Sequence, residues 1–312
     1  MSIRQRPRFV HAQRLAALLT LVFLAACGSC NCNVPGYHAP PPGATPLPPG
    51  VTPSPMPSGT PAAVACSQGS GSVPLGSALA PFAVLAGATV TNVGNTLVTY
   101  GPGAVTAGVN DDLVGVSPGT AVTGFYPPGT DTDGQNAIYA AGYNANTAVP
   151  LAAQTALTTA YTTLAGEPAG VTFLGGQDLS QASVAGHAVG TLPPGVYKSA
   201  SSLSIMAGNL TLDGGGNAQG VFIFQMGSTL TTTLNGGAGG NVILTGGASA
   251  CNIYWQVGSS AVLGGATFYG DVLANQSITV NATTFNGRAL ASVGSVTIPV
   301  AGGSTITNPG GQ

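Results

Sequence analysis

The sequence predicts an all-β solenoid, a parallel β-helix accompanied by one long helix. Three observations lead there: a composition poor in charge and rich in glycine, a set of internal repeats, and a single stretch with helical periodicity. Only 4% of the 312 residues are charged, against about 25% in an ordinary soluble protein. The 48 glycines and 24 prolines leave little for a bundle of charged helices. Beyond residue 27 the basic residues are Lys198 and Arg288 against eight acids, a formal charge of −6. A nucleic-acid partner, which needs clustered cations, is therefore not expected.

The chain opens with a segment read as an export signal. Arg4, Arg6, Arg8 and Arg14 precede an apolar run from Leu15 to Ala26, too short for the ~20 residues that span a bilayer. Leu24-Ala25-Ala26-Cys27 has the form of a bacterial lipobox, which makes residues 1–26 a lipoprotein signal peptide and Cys27 the lipidated N-terminus. The expected location is an outer-membrane or cell-surface lipoprotein, or the extracellular space if the lipobox is not used. Gly28 at the next position favours the outer membrane by resemblance to Gram-negative lipoproteins. Residues 27–69 then form a linker, with eleven prolines between 33 and 62. Such a stretch buries no core and acts as an extended spacer. An exported chain meets an oxidising compartment, so Cys66 and Cys251 are candidates for a disulfide. Cys30-Asn31-Cys32 has no accompanying ligand cluster and is not read as a metal site.

The repeats fill the main domain, placed at 70–303 with a C-terminal tail at 304–312. Residues 208–228 resemble 240–259 at offsets of 32 and 31, and a fainter copy begins at Ser277 and ends at Ser295. A shorter echo pairs 268–274 with 285–291 at an offset of 17. Short β-rich units separated by glycine turns indicate a solenoid. Because the long period is about twice the short one, coils of about 16–18 residues are expected. Strand alternation points Leu210/Leu212, Val242/Leu244 and Ile278/Val280 inward on one wall. On another it points Phe222/Phe224, Ile253/Trp255 and Ala289/Ala291 inward. The opposite parity carries Asn252 and Arg288 and is expected to lie outside the core. There Asp271 and Arg288, one coil apart, should form an exposed ion pair worth ~0–1 kcal/mol. Val221, Ile223, Tyr254 and Leu290 share that parity, so something should cover it. Residues 150–165 are the candidate, with Leu157, Ala160, Tyr161 and Leu164 at helical spacing and Gly166 and Pro168 as terminators. This helix should run lengthwise along the solenoid.

Catalytic motifs are few. Gly115-Val116-Ser117-Pro118-Gly119 fits the G-x-S-x-G pattern, but Pro118 lacks the N–H that an oxyanion needs. His187 is the single histidine within the repeat-bearing region and is read as a surface or satisfied residue. Asp111-Asp112 and Asp131-Thr132-Asp133 lack calcium-loop spacing and are read as solvated loop carboxylates. A polysaccharide lyase would need a base and neutralising cations, which Lys198 and Arg288 scarcely supply. No enzyme, cofactor or metal is expected.

A wall of small Thr, Ser, Ala and Val side chains on stacked coils is stiff and weakly polar, with residues ~4.7–4.9 Å apart across strands and ~6.6 Å along them. Its methyls order water and its hydroxyls anchor that water, in spacings comparable with an ice lattice. Beside this pattern stands a named resemblance. Residues 75–94, 114–125, 192–198, 220–228, 251–259 and 286–291, taken in order, resemble the ice-binding-like protein family of bacteria, fungi and algae. The resemblance covers roughly 73–300. It implies a discontinuous right-handed parallel β-helix of triangular cross-section with one helix alongside, and ice adsorption through a face away from that helix. Residues 126–147 are longer than the family's usual connection and are expected to form a local excursion.

The family has no strict ice-binding motif, so candidates come from parity. Thr211 and Thr279 are assigned to one wall, interrupted by Ile243. Thr229, Thr231, Ser260, Ser295 and Thr297 form a competing wall. The leading reading is a monomeric ice-binding protein at the cell surface, inhibiting recrystallisation or holding the cell to ice, with the Cys27 lipid in a membrane. The alternative is a structural or adhesive surface solenoid that binds polysaccharide or cells.

Overall fold

The computed structural model describes residues 69–101, 112–132, 134–233 and 239–310. Cys27, Cys30, Cys32, Cys66, Asp111 and Asp133 lie outside them. The strands pair in parallel and stack into three sides of a triangular solenoid. One side is a nine-stranded sheet. From one end to the other it contains Ile138–Tyr139, Leu113–Val116, Phe82–Ala86, Ala289–Ala291, Asp271–Ala274, Ile253–Val257, Phe222–Met226, Gly195–Ser199 and Val171–Phe173. The second is an eight-stranded sheet in the order Ala121–Thr123, Thr89–Asn92, Val296–Ile298, Ile278–Val280, Ala261–Leu263, Leu230–Thr232, Leu203–Ile205, Gln177–Asp178. The third side is split between a five-stranded and a three-stranded sheet.

The winding is discontinuous. Phe82–Ala86 pairs with Ala289–Ala291 on one edge and with Leu113–Val116 on the other. The first strand is thus set on the last coil, and the next turns continue outward from it. The helix Ala148–Gly166 then carries the chain back along the nine-stranded sheet, touching strands from Leu113–Val116 to Phe222–Met226. From Val171 the coils climb again to meet the first strand. Residues 126–147 are no excursion. Thr130–Asp131 pairs with Leu97–Tyr100, and Ile138–Tyr139 with Leu113–Val116, so the segment completes an ordinary turn. Nor does a tail begin at Ser304, because Thr305–Asn308 pairs with both Thr284–Asn286 and Leu97–Tyr100.

Coil length departs from expectation toward both ends of the stack, with the 17-residue coils between. Phe224 pairs with Trp255, Trp255 with Val272 and Val272 with Ala289. The offset of 31 is therefore one coil rather than two; the offsets of 17 are one coil each. The longer coils spend extra residues at the corners that follow Leu210–Asp213 and Val242–Thr245. In consequence Leu210/Leu212 and Val242/Leu244 belong to the three-stranded sheet, whereas Ile278/Val280 belong to the eight-stranded one. Sequence likeness between copies does not keep track of the side on which a strand lands.

Inside, alternate side chains fill the prism. Phe222, Phe224, Ile253, Trp255, Ala289 and Ala291 are all buried. A ladder of rings runs through Phe173, Tyr197, Phe224, Trp255, Phe268 and Phe285, with the closest stack, Phe224 on Trp255, at 4.0 Å. Tyr197, Phe224 and Trp255 share one register position, and Phe173 stands two residues further along its strand. Phe268 and Phe285 come from the five-stranded sheet. Each ring–ring contact adds ~0.5–1.5 kcal/mol to area burial. At the corner between the two large sheets, glycine is required where successive coils pack most closely. A Cβ on Gly258 would sit 2.4 Å from the Gly227 carbonyl oxygen, and one on Gly227 2.4 Å from that of Ala200.

A second apolar layer lies outside the nine-stranded sheet. Ala153, Leu157, Ala160 and Leu164 of the helix, with Val73, Leu75 and Leu79 of the entering chain, cover Ile223, Tyr254, Leu273 and Leu290. Tyr161 is half-buried beside them and donates from its hydroxyl to Val257 O at 3.3 Å. Because this layer closes over the outward parity, Asn252 and Arg288 are fully buried rather than exposed. The Asp271–Arg288 ion pair forms at 2.8 Å, but inside the protein. Arg288 Nε also donates to Ala80 O at 3.0 Å. Burial pushes the Asp271 carboxyl up to about 6, outweighing the pull of the Arg288 guanidinium in the other direction. Asp112 and Asp131 are likewise buried rather than solvated, the former accepting from the Thr132 hydroxyl.

Candidate functional site: a sheet lined by threonine and serine

The eight-stranded sheet faces solvent on a side the helix does not reach. Its inward residues are Val90, Val122, Leu203, Leu230, Ala261, Ile278 and Val296, all buried. Alternation then forces the residues between them outward. Register pairs align Thr123, Thr91, Thr297, Thr279, Val262, Thr231, Ser204 and Asp178 in a single file across all eight strands. Two positions earlier runs a second file, in the strand at Ala121 and Thr89 and in the turn leading into it at Ser295, Ser277, Ser260, Thr229 and Ser202. At ~4.7–4.9 Å per strand the array is roughly 33 Å long, and its files are ~6.6 Å apart.

The second file is held in place by its own hydroxyls. Thr89 donates from Oγ1 to Ser295 Oγ at 2.9 Å. Ser277 Oγ accepts from Ser295 N at 3.1 Å, and Ser260 Oγ from Ser277 N at 3.3 Å. Ser277 and Ser260 thus each satisfy a backbone N–H that the turn leaves outside the ladder, which fixes their rotamers. On the first file the β-branched threonines have few rotamers of their own. Pre-ordered hydroxyls and methyls bind a patterned surface at less entropic cost than mobile ones.

Charge is confined to one end. Asp178, on the last strand, is the single ionisable residue in the strands of this sheet. Partial burial pushes its carboxyl up, but the Ser180 hydroxyl and the amides of Ala207, Met206 and Ser180 outweigh this and hold it below the usual range. Its oxygens accept from Ser180 Oγ at 2.7 Å and Ala207 N at 2.8 Å, folding the charge toward the corner.

The other sides offer nothing comparable. The five-stranded sheet aligns Thr267, Thr284, Thr305, Leu97 and Thr130, but Tyr269 and Asn286 stand in its second file. The three-stranded sheet carries Thr211 between Thr191 and the exposed Ile243, with Asp213 beside it. A groove beside the end of the helix is lined by Tyr161, Lys198, Gln225 and Gln256. Its amides serve the helix, since Gln225 Nε2 donates to Leu164 O at 2.6 Å and to Glu167 O at 2.8 Å. His187 is half-buried, Lys198 exposed and Ser117 buried. No group of three His, Cys, Asp or Glu residues that could hold a metal occurs among the described residues.

Of the residues picked from sequence, Thr279, Thr229, Thr231, Ser260, Ser295 and Thr297 stand together on the eight-stranded sheet. Thr211 does not; it lies on the three-stranded sheet, away from the Thr279 with which it was grouped. Missed were Thr89, Thr91, Thr123, Ser202, Ser204 and Ser277. A short signal was available, because Ser or Thr at i and i+2 around a buried residue recurs at 89/91, 202/204, 229/231, 277/279 and 295/297.

Residues 84–302 match the Ice-binding-like family. The chain belongs to that family. Over 221 residues it is 38% identical to an ice-binding protein of Nostoc sp. (strain HG1), covering 70% of this chain and 68% of the relative. Among solved structures it is similar to an ice binding protein from an Antarctic biological consortium, with a TM-score of 0.59 and 38% identity over 78% of this chain and 94% of the other. A second is the ice-binding protein of the Antarctic ascomycete Antarctomyces psychrotrophicus, with a TM-score of 0.58, 32% identity, and coverage of 76% and 98%. The discontinuous β-helix expected from the resemblance is the family's architecture in this chain too.

Proposed function

We propose that the protein binds ice through the eight-stranded sheet, as an exported monomer anchored by a lipid on Cys27. One observation carries the reading: a registered file of Thr and Ser crosses all eight strands and a second lies two positions earlier on seven of them, interrupted by the small residues Val262 and Ala121 and by a charge only at Asp178. Ice presents a fixed lattice of donors and acceptors. A surface that meets it needs repeated, immobile groups and no ion that would organise water differently. Threonine supplies a methyl that orders water beside it and a hydroxyl that joins the order. Relatives called ice-binding proteins support the same reading. Display at the cell surface rests on Cys27 and the proline-rich linker, which would keep the domain clear of the membrane.

Partition into slowly growing ice, followed by a recrystallisation assay on residues 27–312, tests the proposal. Enrichment in the ice fraction and small, persistent crystals are expected. Exclusion from ice together with retention on polysaccharide beads would replace it with the adhesive reading.

A further inference from the structure

We propose that the groove beside the end of the helix binds an acidic polysaccharide, a polymer of carboxylate-bearing sugars, on a different side of the prism from the one assigned to ice. The inference rests on residues that the ice-binding reading does not use. The helix covers Ile223 and Tyr254, outward residues of two neighbouring strands. The next outward residues are Lys198, Gln225 and Gln256, aligned by register on three successive coils. At ~4.7–4.9 Å per strand this polar file is roughly 10 Å long. Tyr161, on the last turns of the helix, walls one side. On the other, as the chain leaves the sheet, Ala200, Gly227 and Gly258 form a shelf almost free of side chains. The groove measures about 370 Å³, within the ~300–1,000 Å³ of ordinary ligand sites, and it is open along the shelf, which admits a polymer.

Two of these groups have unmet needs. Gln225 is 2% exposed, and its Nε2 is spent on Leu164 O and Glu167 O. Its Oε1 accepts no hydrogen bond, although buried acceptors are nearly always paired. Lys198 is the single exposed Lys or Arg among the described residues, Arg288 being fully buried. The one ion pair among them is Arg288–Asp271, so no carboxylate occupies the Lys198 ammonium. The oxygen is shut off from solvent in this conformation. A donor reaches it as the side chains around the groove give way, Lys198 first because its stem is flexible and its charge unpaired.

An acceptor one strand away from an ammonium calls for a ligand that carries a donor and an anion on one rigid unit. A sugar ring with a carboxylate has both: the carboxylate meets Lys198 in a charge-assisted bond, and a ring hydroxyl donates to Gln225 Oε1. A bare anion satisfies Lys198 alone, and an acidic peptide side chain offers no donor at a fixed distance from its charge. Gln256 adds a second amide, which interacts with the Tyr161 hydroxyl. The groove and the eight-stranded sheet lie on different sides of the prism, so a polymer in one leaves the other free. The protein then joins ice to an acidic matrix.

Retention on immobilised alginate, a polymer of carboxylate-bearing sugars, tests the proposal at about 0.15 M salt, where long-range attraction between charges is screened. Binding is expected, with neutral dextran and polyglutamate each held at least ~10-fold more weakly. Lys198→Gln removes the charge, and Ala200→Phe fills the shelf while leaving every polar group in place. Each should weaken alginate binding at least ~10-fold. Both positions are exposed, so thermal melts of the variants should match the parent. Polyglutamate held as tightly as alginate would mean ion exchange alone, and unchanged binding in either variant would place the polymer elsewhere; each result overturns the groove. Recrystallisation inhibition should persist with alginate bound, and its loss would overturn the use of separate sides. A protein that inhibits recrystallisation but ignores alginate defeats the groove alone, whereas one that holds alginate but ignores ice defeats the ice-binding reading alone.

Discussion

Replacing Arg288 by Ala separates a buried ion pair from a surface one. Both Arg288 and Asp271 are fully buried, and the guanidinium makes a 2.8 Å bond to Asp271 Oδ2 and a 3.0 Å bond to Ala80 O. Truncation removes the cation, leaves the carboxyl in a dry setting and empties the volume of a large side chain. Breaking a buried pair in this way costs ~3–5 kcal/mol, whereas an exposed pair is worth ~0–1 kcal/mol. The difference is wide enough to decide. Urea unfolding of wild type and Arg288→Ala at pH 7, followed by intrinsic fluorescence of Trp255, measures it. Arg288→Met with Asp271→Leu should recover most of the loss, because an apolar pair of similar volume needs no compensation for desolvation. A loss below about 1 kcal/mol for Arg288→Ala would refute the buried setting.

Three further outcomes are expected. Gly258→Ala pushes a Cβ to within 2.4 Å of the Gly227 carbonyl oxygen and should lower stability by ~1–3 kcal/mol in thermal melts. Leu157→Ala opens a cavity in the buried layer that the helix shares with Tyr254 and Leu290 and should cost ~2–5 kcal/mol in urea unfolding. The third concerns pH. The folded carboxyl of Asp271 sits at about 6, above its unfolded value, so the native state holds a proton that the unfolded state releases. Its contribution is complete below pH ~4 and falls away as pH rises through 6; Asp271→Asn should flatten that part of the stability profile.

What the sequence disclosed, and what it did not, follows from the range of each interaction. Helical spacing around Leu157, Ala160 and Leu164 is local, and the helix is where it was expected. Alternation at Phe222/Phe224 and Ile253/Trp255 is local too, and these residues are in the core. The pairing of Asp271 with Arg288 could be read from one coil of 17 residues. Its burial could not, because the covering Ala80 is more than 190 residues earlier in the chain. Thr89 and Thr91 carry the local i, i+2 signal, but their place beside Ser295 and Thr297 could not be read, because those neighbours lie across the discontinuity and no repeat offset joins them. The separation of Thr211 from Thr279 has another cause. Repeat offsets count residues, while the side on which a strand falls depends on how many of them each corner consumes.

The central claim is that the eight-stranded side, and no other, meets ice. Thr279→Tyr and Thr231→Tyr place a bulky ring at two points of the first file, while Thr284→Tyr and Thr305→Tyr do the same on the five-stranded sheet. As surface changes, all four should leave stability within about 0.5 kcal/mol. Ice-recrystallisation inhibition measured side by side should fall at least ~10-fold for the first pair, a loss of roughly 1.4 kcal/mol in adsorption, and stay at the parent level for the second. Full activity in Thr279→Tyr and Thr231→Tyr, or a loss confined to Thr284→Tyr and Thr305→Tyr, would contradict the claim.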